Sequence, residues 1–409
     1  MQRVVVTGLG VVSSLGCTCA EVTEALRHSR SGLISLDAMR EAGFSCSIYG
    51  PVRGWDAKRV PARAQETRST VAEYAAVAAS DALQDAGLQV EHLDAARTGV
   101  IVGTAFGGIN ELSRMHRLLQ GGEKSRAGEV GVAKAINSGT ACNLAATLGL
   151  RGRAYSVSTS FAAGPDNIGH AYEQIKHGMM DVALCGAAEE DCWLQIGAYF
   201  DNWGGLPSDY NDRPAEACRP YDLHRQGAVL SAGAGILLIE SLDHARRRNA
   251  RIHAEIVGYG SANDGADMFR PTGQGLTRAI RQAMTEASSH GVRRLDYINT
   301  HGTGTPLGDR VEAEVLRDVV GDGPMISSTK GLSGHAMGAC GAIEAVYTLR
   351  MLDAGFVAPT VNLQNVAVEC EGLRHVRAVV EQSIETAMTF SVGLGGFNSS
   401  LVFSKLAVE

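Results

Sequence analysis

Short apolar runs alternate along the chain with longer stretches in which apolar residues recur every three or four positions. The short runs are rich in Val, Ile and Leu and alternate little with polar residues, which is typical of strands covered on both faces. They predict strands at residues 4–7, 98–102, 181–185, 235–239, 297–299, 325–327 and 401–404. The longer stretches predict helices at residues 70–86, 167–177, 275–288, 311–319 and 341–353. The pattern as a whole predicts an α/β protein.

A weak internal repetition suggests that the chain consists of two similar halves. In the first, an apolar run at 155–158 leads through a turn containing Gly164 into a helix; in the second, the strand at 325–327 leads through a Gly-rich loop into another helix. The polar stretch 242–251 lies between them. We therefore predict one half over residues 1–250 and a second over residues 251–409.

Composition and charge narrow the classes of function. The 409 residues are 45% hydrophobic and 20% charged with a formal net charge of −7, and no long basic run indicates nucleic-acid binding. No stretch approaches the ~18 uninterrupted apolar residues of a membrane helix. The first residues are apolar but are interrupted by Gly, Thr and Ser, which is not typical of a signal peptide. The nine cysteines are odd in number and lack metal-binding spacing. This predicts reduced thiols, a cytoplasmic protein and no metal site.

Two loops that follow predicted strands carry candidate chemistry. The loop at residues 300–306 contains His301, Thr303 and Thr305 among glycines that let a ligand approach the backbone. The loop at residues 330–335 begins with Lys330 and ends with His335. Open α/β sheets place their sites at the carboxyl ends of strands, so both loops are expected to face one pocket.

Lys330 could depress the pKa of His335 and keep it neutral, as a hydrogen-bond donor or a base requires. Glu312 lies just inside the helix that follows the first loop. It either serves as a favourable charge near the helix start or anchors Lys330, and the sequence leaves both interpretations open.

Residues 159–164 form a strand-to-helix turn of the kind that presents a nucleophile. A helix start at such a turn can stabilise a thiolate or an oxyanion. The residue at its apex is Phe161, whose ring can neither attack nor ionise.

The chain resembles the bacterial β-ketoacyl-acyl carrier protein synthases of the type I/II group, and within it the type I subgroup. The resemblance covers essentially the whole chain and is most specific in the two histidine loops. It is carried by VVVTGLGVVSS at 4–14, GAAEE at 186–190, RPYD at 219–222, EIVGYG at 255–260, HGTGTPLGD at 301–309 and KGLSGH at 330–335.

The resemblance implies a thiolase-like fold with two duplicated α/β halves in a five-layer αβαβα arrangement, dimeric across a two-fold axis. It also implies an acyltransferase that condenses an acyl thioester with a malonyl group, both delivered by acyl carrier protein, without a separate cofactor. The family assigns enolate stabilisation to His301 and His335, organisation of that pocket to Lys330 and Glu312, and binding of the phosphopantetheine arm to Thr303 and Thr305.

The sequence departs from the family pattern where acyl transfer would occur. Phe161 falls on the position of the nucleophilic cysteine, and residues 164–167 also differ from the usual segment. Leu394 falls on the gate position, whose backbone N–H completes the oxyanion hole, and Phe397 replaces a threonine. No covalent acyl-enzyme can form at position 161.

Two explanations of Phe161 stay open. Phe161 could be an engineered replacement for the cysteine of an otherwise active synthase. The retained histidines and Lys330 favour this explanation. The chain could instead be naturally Cys-less, either as a chain-length-factor-like subunit of a heterodimer or as a malonyl decarboxylase, which the further changes at 164–167, Leu394 and Phe397 favour. The retained histidines count against a purely carrier-protein-binding module.

Overall fold

The computed structural model describes residues 1–406. Its strands are β1 (Val4–Val12), β2 (Ile34–Ser35), β3 (Ile48–Tyr49), β4 (Thr98–Gly103), β5 (Ala154–Tyr155), β6 (Val182–Glu189), β7 (Gly233–Ser241), β8 (Ala254–Asn263), β9 (Tyr297–Asn299), β10 (Met325–Ser327), β11 (Arg374–His375), β12 (Thr386–Gly393) and β13 (Phe397–Ser404). Its helices are α1 (Cys19–Arg27), α2 (Asp37–Glu41), α3 (Thr70–Asp85), α4 (Ile109–Gln120), α5 (Gly131–Ala135), α6 (Gly139–Leu148), α7 (Ala163–Lys176), α8 (Gly197–Trp203), α9 (Leu242–Arg247), α10 (Gln274–Ser289), α11 (Pro306–Val319), α12 (Lys330–Ser333) and α13 (Cys340–Ala354). None of the helices described over 1–406 is long and apolar enough to cross a membrane.

The strands form two half-sheets with the same order. The first runs β1-β7-β6-β4-β5 and the second runs β8-β13-β12-β9-β10, with β11 added at its edge. Strand by strand, the second order repeats the first. The halves join where residues 4–6 of β1 pair antiparallel with residues 254–256 of β8, so the hydrogen-bonded sheet is continuous over eleven strands.

The helices complete five layers. Helix α3 packs on β1 and β7 at one outer face, while α10 packs on β8 and β13 at the other. Helices α7 and α13 lie between the half-sheets and contact both of them as well as each other. Nearly all of α13 is buried, as expected for a helix covered on every side. These contacts confirm the predicted α/β class and the αβαβα arrangement.

Small residues allow the outer layer to approach the sheet closely. Helix α3 is rich in alanine, and a Cβ atom at Gly10 of β1 would lie 1.8 Å from the carbonyl oxygen of Ala78. Any side chain at Gly10 would therefore push α3 away from the sheet.

Every predicted strand and helix is present, but several bounds differ. The run predicted as a strand over 155–158 pairs only at Ala154–Tyr155, because the chain then leaves the sheet to form the turn at Phe161. Helix α7 begins at Ala163 and not at 167, since Pro165 lies in its first turn, where a missing N–H costs nothing. The predicted boundary at 250/251 falls between α9 and β8. It stays a prediction, and residues 407–409 of the second half lie outside the described part.

A buried histidine fastens the two halves together. His253, at the start of the second half, contacts Asp85 of α3 through Nε2 at 2.8 Å and Asp353 of α13 through Nδ1 at 2.6 Å. Arg350 and Arg251 also approach Asp353, at 3.0 and 3.4 Å. Burial alone would lower the pKa of His253, but the two carboxylates outweigh it and hold that pKa above its ordinary value.

This geometry predicts a pH-dependent loss of stability on substitution. The stabilisation from protonated His253 is complete below the unfolded pKa of about 6.5 and disappears as pH rises through the raised folded pKa. We expect His253→Gln to lower the free energy of unfolding by about 1–3 kcal/mol at pH 6, and by less at pH 9. Urea unfolding at both pH values measures this, with exposed His116→Gln as control. Equal losses at the two pH values would contradict the protonated clamp.

Candidate active site

The turn at Phe161 is held by side chains of the helix that follows it. Residues 160–162 form a single 3₁₀ turn before α7, and Ser160 adopts the left-handed region with φ of 55°. Asn167 bonds both the N–H and the C=O of Val157, at 3.0 and 2.8 Å, and Asp166 accepts from the hydroxyl of Thr159 at 2.6 Å. The side chains of Asp166 and Asn167 therefore fix this turn in place.

A matching turn stands at the start of α13. Residues 337–339 form a 3₁₀ turn in which Met337 has a φ of 50°, the counterpart of Ser160. The two helix starts touch, because a Cβ atom at Gly164 would lie 2.3 Å from the backbone nitrogen of Ala342. This contact brings Phe161 and His335 together from opposite halves of the chain.

His335 faces the ring of Phe161. The two ring centroids lie 4.7 Å apart at 77°. The Nδ1 atom of His335 accepts from the N–H of Met337 at 3.0 Å, which places the proton of the neutral ring on Nε2. This buried Nε2 has no hydrogen-bond partner among the described residues, so it is available to a ligand.

His301 lies beside His335 in the same environment. Their ring centroids are 5.3 Å apart at 90°, and Lys330 Nζ lies 3.4 Å from Nδ1 of His301. Burial, reinforced by the charge of Lys330, holds the pKa of each histidine well below its ordinary value. Both rings are therefore neutral at physiological pH, and Lys330 leaves Nε2 of His301 as the protonated nitrogen.

Lys330 is a fully buried cation paired with Glu344. Its Nζ lies 2.5 Å from Glu344 Oε1, and the two side chains are only 0% and 2% exposed to solvent. Burial opposes the charge on Lys330, but the carboxylate of Glu344 outweighs it and keeps the pKa of Lys330 above its ordinary value. The hypothesis that Glu312 anchors Lys330 is thus corrected, since the anchoring carboxylate comes from α13.

Glu312 instead shapes the loop that carries His301. Its two oxygens accept from the N–H of Gly302 at 3.1 and 3.0 Å, and it also accepts from the hydroxyl of Tyr221. Asp309 accepts from the N–H groups of residues 303 and 304 at 3.0 and 3.1 Å. Burial raises the pKa of Glu312 to about 8 and that of Asp309 to about 6. The alternative interpretation of Glu312, as a favourable charge near the start of α11, therefore leaves out its hydrogen bonds to the His301 loop.

An apolar cavity of about 430 Å³ connects these groups with the surface. The hydroxyls of Thr303 and Thr305 lie 2.9 Å apart in its wall, and Leu394 also lines it. Leu394 follows β12 directly, and Gly393 packs so tightly that a Cβ there would lie 3.1 Å from the backbone nitrogen of Phe161. The predicted residues Phe161, His301, His335, Thr303, Thr305, Leu394 and Glu312 all line this cavity, while Lys330 lies behind it.

The sequence reasoning missed Glu344, Asp309 and Tyr221 as contributors to the site. Glu344 had a usable signal, because it is a lone charge within the otherwise apolar first half of α13. Across residues 1–406 no group of three or more His, Cys, Asp or Glu side chains is placed to hold a metal ion.

Two domains of one known protein family together match most of the chain. The N-terminal domain of the β-ketoacyl synthase family matches residues 1–245, and the C-terminal domain of the same family matches residues 253–364. The chain belongs to the β-ketoacyl synthase family. The resemblance drawn from the two histidine loops is thereby confirmed.

Members of the family align with this chain from end to end. The 3-oxoacyl-[acyl-carrier-protein] synthase 1 of Escherichia coli (strain K12) is 39% identical, over 99% of this chain and 100% of its own length. The ishigamide ketosynthase/chain length factor is 32% identical with a TM-score of 0.91, covering 99% of this chain and 100% of its own. A type II PKS acyl-carrier protein complex with its ketosynthase bound to the hexaketide gives 31% identity and a TM-score of 0.87, with 99% and 100% coverage.

The Lys330–Glu344 ion pair predicts that two conservative substitutions, at Glu344 and at Glu312, change the free energy of unfolding by different amounts. Glu344→Gln leaves Lys330 as an uncompensated buried charge, so we expect the free energy of unfolding to fall by about 3–5 kcal/mol. Glu312→Gln should cost less, about 1.5 kcal/mol, because an amide oxygen at the Oε1 position can still accept from Tyr221 and Gly302 and no buried cation loses its partner. Urea unfolding at pH 7 compares them. A larger loss for Glu312→Gln would show that Lys330 depends on Glu312 after all.

Proposed function

We propose that this chain acts in fatty-acid or polyketide chain elongation as the non-acylated subunit of a condensing dimer. In this role it binds malonyl thioesters carried by acyl carrier protein and decarboxylates them, while a related synthase subunit holds the acyl chain on a cysteine. The observation that carries the proposal is the contact of Phe161 with His335, because an unreactive ring lies 4.7 Å from a histidine in a buried site that holds a second histidine and a lysine.

The two histidines supply the chemistry that remains. When a malonyl thioester loses carbon dioxide, negative charge develops on its thioester oxygen. Two neutral imidazoles that present Nε2–H groups can donate hydrogen bonds to that oxygen, and such preorganised donors are a large source of catalysis in a site with little water. Burial, reinforced by the charge of Lys330, keeps the pKa of both imidazoles low, so the neutral donors are present before the substrate arrives.

The outer surface supports an assembly of two subunits. Strand β5 is the edge of the continuous sheet and pairs only with β4 among the described strands. In the same half of the chain, Leu112 and Leu119 of α4 and Val132 of α5 are exposed apolar side chains. An open sheet edge and exposed apolar side chains are both found at interfaces. Reduced, unpaired cysteines throughout residues 1–406 fit a cytoplasmic setting.

An active synthase altered at one position remains the second candidate, favoured by the intact histidine and lysine set. The two candidates differ in what a restored thiol does. Incubation with acyl-acyl carrier protein followed by intact-mass measurement should give no adduct on the unaltered chain, because no nucleophile stands at position 161. Phe161→Cys should gain the mass of one acyl group if only the thiol is missing.

Phe161→Ala is the matched control, since it removes the ring without supplying sulfur. If Phe161→Cys acquires the acyl group and then condenses malonyl-acyl carrier protein without any partner, the altered-synthase candidate is correct. If Phe161→Cys stays inactive alone and the unaltered chain copurifies with a cysteine-bearing synthase, the non-acylated subunit is correct.

Carbon dioxide release from malonyl-acyl carrier protein tests the remaining machinery directly. We expect His335→Gln or His301→Gln to lower the rate by about 10²-fold or more, the usual cost of one oxyanion donor. The exposed control His28→Gln should leave the rate unchanged. Because both histidine pKa values lie well below 6.5, the rate should be flat from pH 8 down to pH 6. A rate that falls through pH 6.5 on acidification would contradict the neutral rings, and no release by the unaltered chain would exclude the decarboxylase role.

A further inference from the structure

The mouth of the cavity is formed by two aromatic side chains and a neighbouring arginine. Trp203 at the end of α8 and Phe269 in the loop before α10 are 53% and 56% exposed, and their ring centroids lie 5.2 Å apart at 77°. Arg270 follows Phe269 directly and also lines the cavity, with its side chain exposed to solvent.

The backbone around Arg270 is held in a defined position. The carboxylate of Asp267 accepts from the N–H of Phe269 at 2.8 Å and from the N–H of Arg270 at 3.0 Å. The carbonyl oxygen of Met268 accepts from the N–H of Gly395 at 2.9 Å, which ties this loop to the turn containing Leu394. The backbone that carries Arg270 is therefore held both by Asp267 and by the turn containing Leu394.

The charge at this position is distinctive within the cavity. Arg270 is the only arginine or lysine among the lining residues. Within residues 1–406 its guanidinium has no carboxylate in ion-pair contact, whereas Arg281 of the neighbouring helix is paired with Asp318 at 3.2 Å. Asp267 also lines the cavity, but one of its carboxylate oxygens already accepts the two backbone N–H groups. The mouth thus presents one uncommitted cation above an apolar interior.

We propose that Arg270 recognises the phosphate of a pantetheine arm whose neutral part fills the cavity. This rests on the proposed function, in which thioesters enter toward His301 and His335. The interior offers the two threonine hydroxyls and apolar walls, which suit amide and alkyl groups, and an anionic end must remain at the mouth. A guanidinium matches a phosphate with two parallel hydrogen bonds, which an ammonium group cannot do. Arg270 is thus a specificity residue that reads the phosphate end of the arm.

Paired ligands that differ only in the phosphate test this. Hexanoyl-pantetheine and hexanoyl-4′-phosphopantetheine are titrated against the full chain, with quenching of Trp fluorescence as the readout, since Trp203 stands at the mouth and the other two tryptophans do not line the cavity. The phosphate should tighten Kd by about two- to fivefold, the range of a solvent-exposed charged contact. Arg270→Gln should abolish this gain without changing Kd for hexanoyl-pantetheine, and raising the salt concentration should reduce the gain in the unaltered chain.

Arg281→Gln, which removes one positive charge away from the cavity, is the control and should keep the full gain. Hexanoyl-coenzyme A distinguishes the sources of the phosphate: a further gain lost in Arg270→Gln assigns the residue to free coenzyme A, and no further gain assigns it to the arm of a carrier protein. A phosphate gain that persists in Arg270→Gln overturns the inference. Equal binding of both ligands by the unaltered chain overturns the inference but leaves the proposed function standing, whereas no binding of either ligand at millimolar concentration overturns both.

Discussion

The site depends on one buried cation. Lys330 is enclosed by protein on every side, and Glu344 is the carboxylate that makes its charge tolerable there. From that position Lys330 opposes protonation of both His301 and His335. Because the rings are neutral, each can point an N–H group into the cavity. Burial is the larger cause of the low pKa of both rings, and Lys330 adds to it; Lys330 also lies 3.4 Å from Nδ1 of His301, which leaves Nε2 of that ring to carry the proton.

The position of that pair follows from the duplicated topology. Each half-sheet delivers a strand end, a 3₁₀ turn and the start of a central helix to the same place. One turn presents Phe161 and the other follows His335, and the close contact of α7 with α13 sets the distance between them. The duplicated scaffold therefore sets the positions of Phe161 and His335 by backbone packing, whatever side chain the first turn carries.

Much of the fold could be predicted from the sequence, because buried strands and long helices leave strong apolar patterns. Strands β8 and β12 were missed for physical reasons: glycines interrupt the first, and the second buries Thr389 and Ser391, which look like loop residues. In the site, both histidines and Lys330 were predicted because loops rich in glycine mark them. The partner of Lys330 could not be predicted. The packing of α11 and α13 decides whether Glu312 or Glu344 reaches Lys330, and no local sequence pattern records that packing.

The central layer also constrains how this molecule can fold. Helices α7 and α13 each contact both half-sheets, and the sheet itself runs without interruption from one half to the other through residues 4–6 and 254–256. Neither half can bury its own central helix alone, because the opposite half supplies one wall of that layer. The two repeats therefore behave as one cooperative unit, in which most stabilising contacts join residues far apart in the chain. Folding of such a topology is slow. A fragment carrying only one repeat would leave the apolar face of its central helix exposed to water, because the opposite half-sheet that covers that face would be missing.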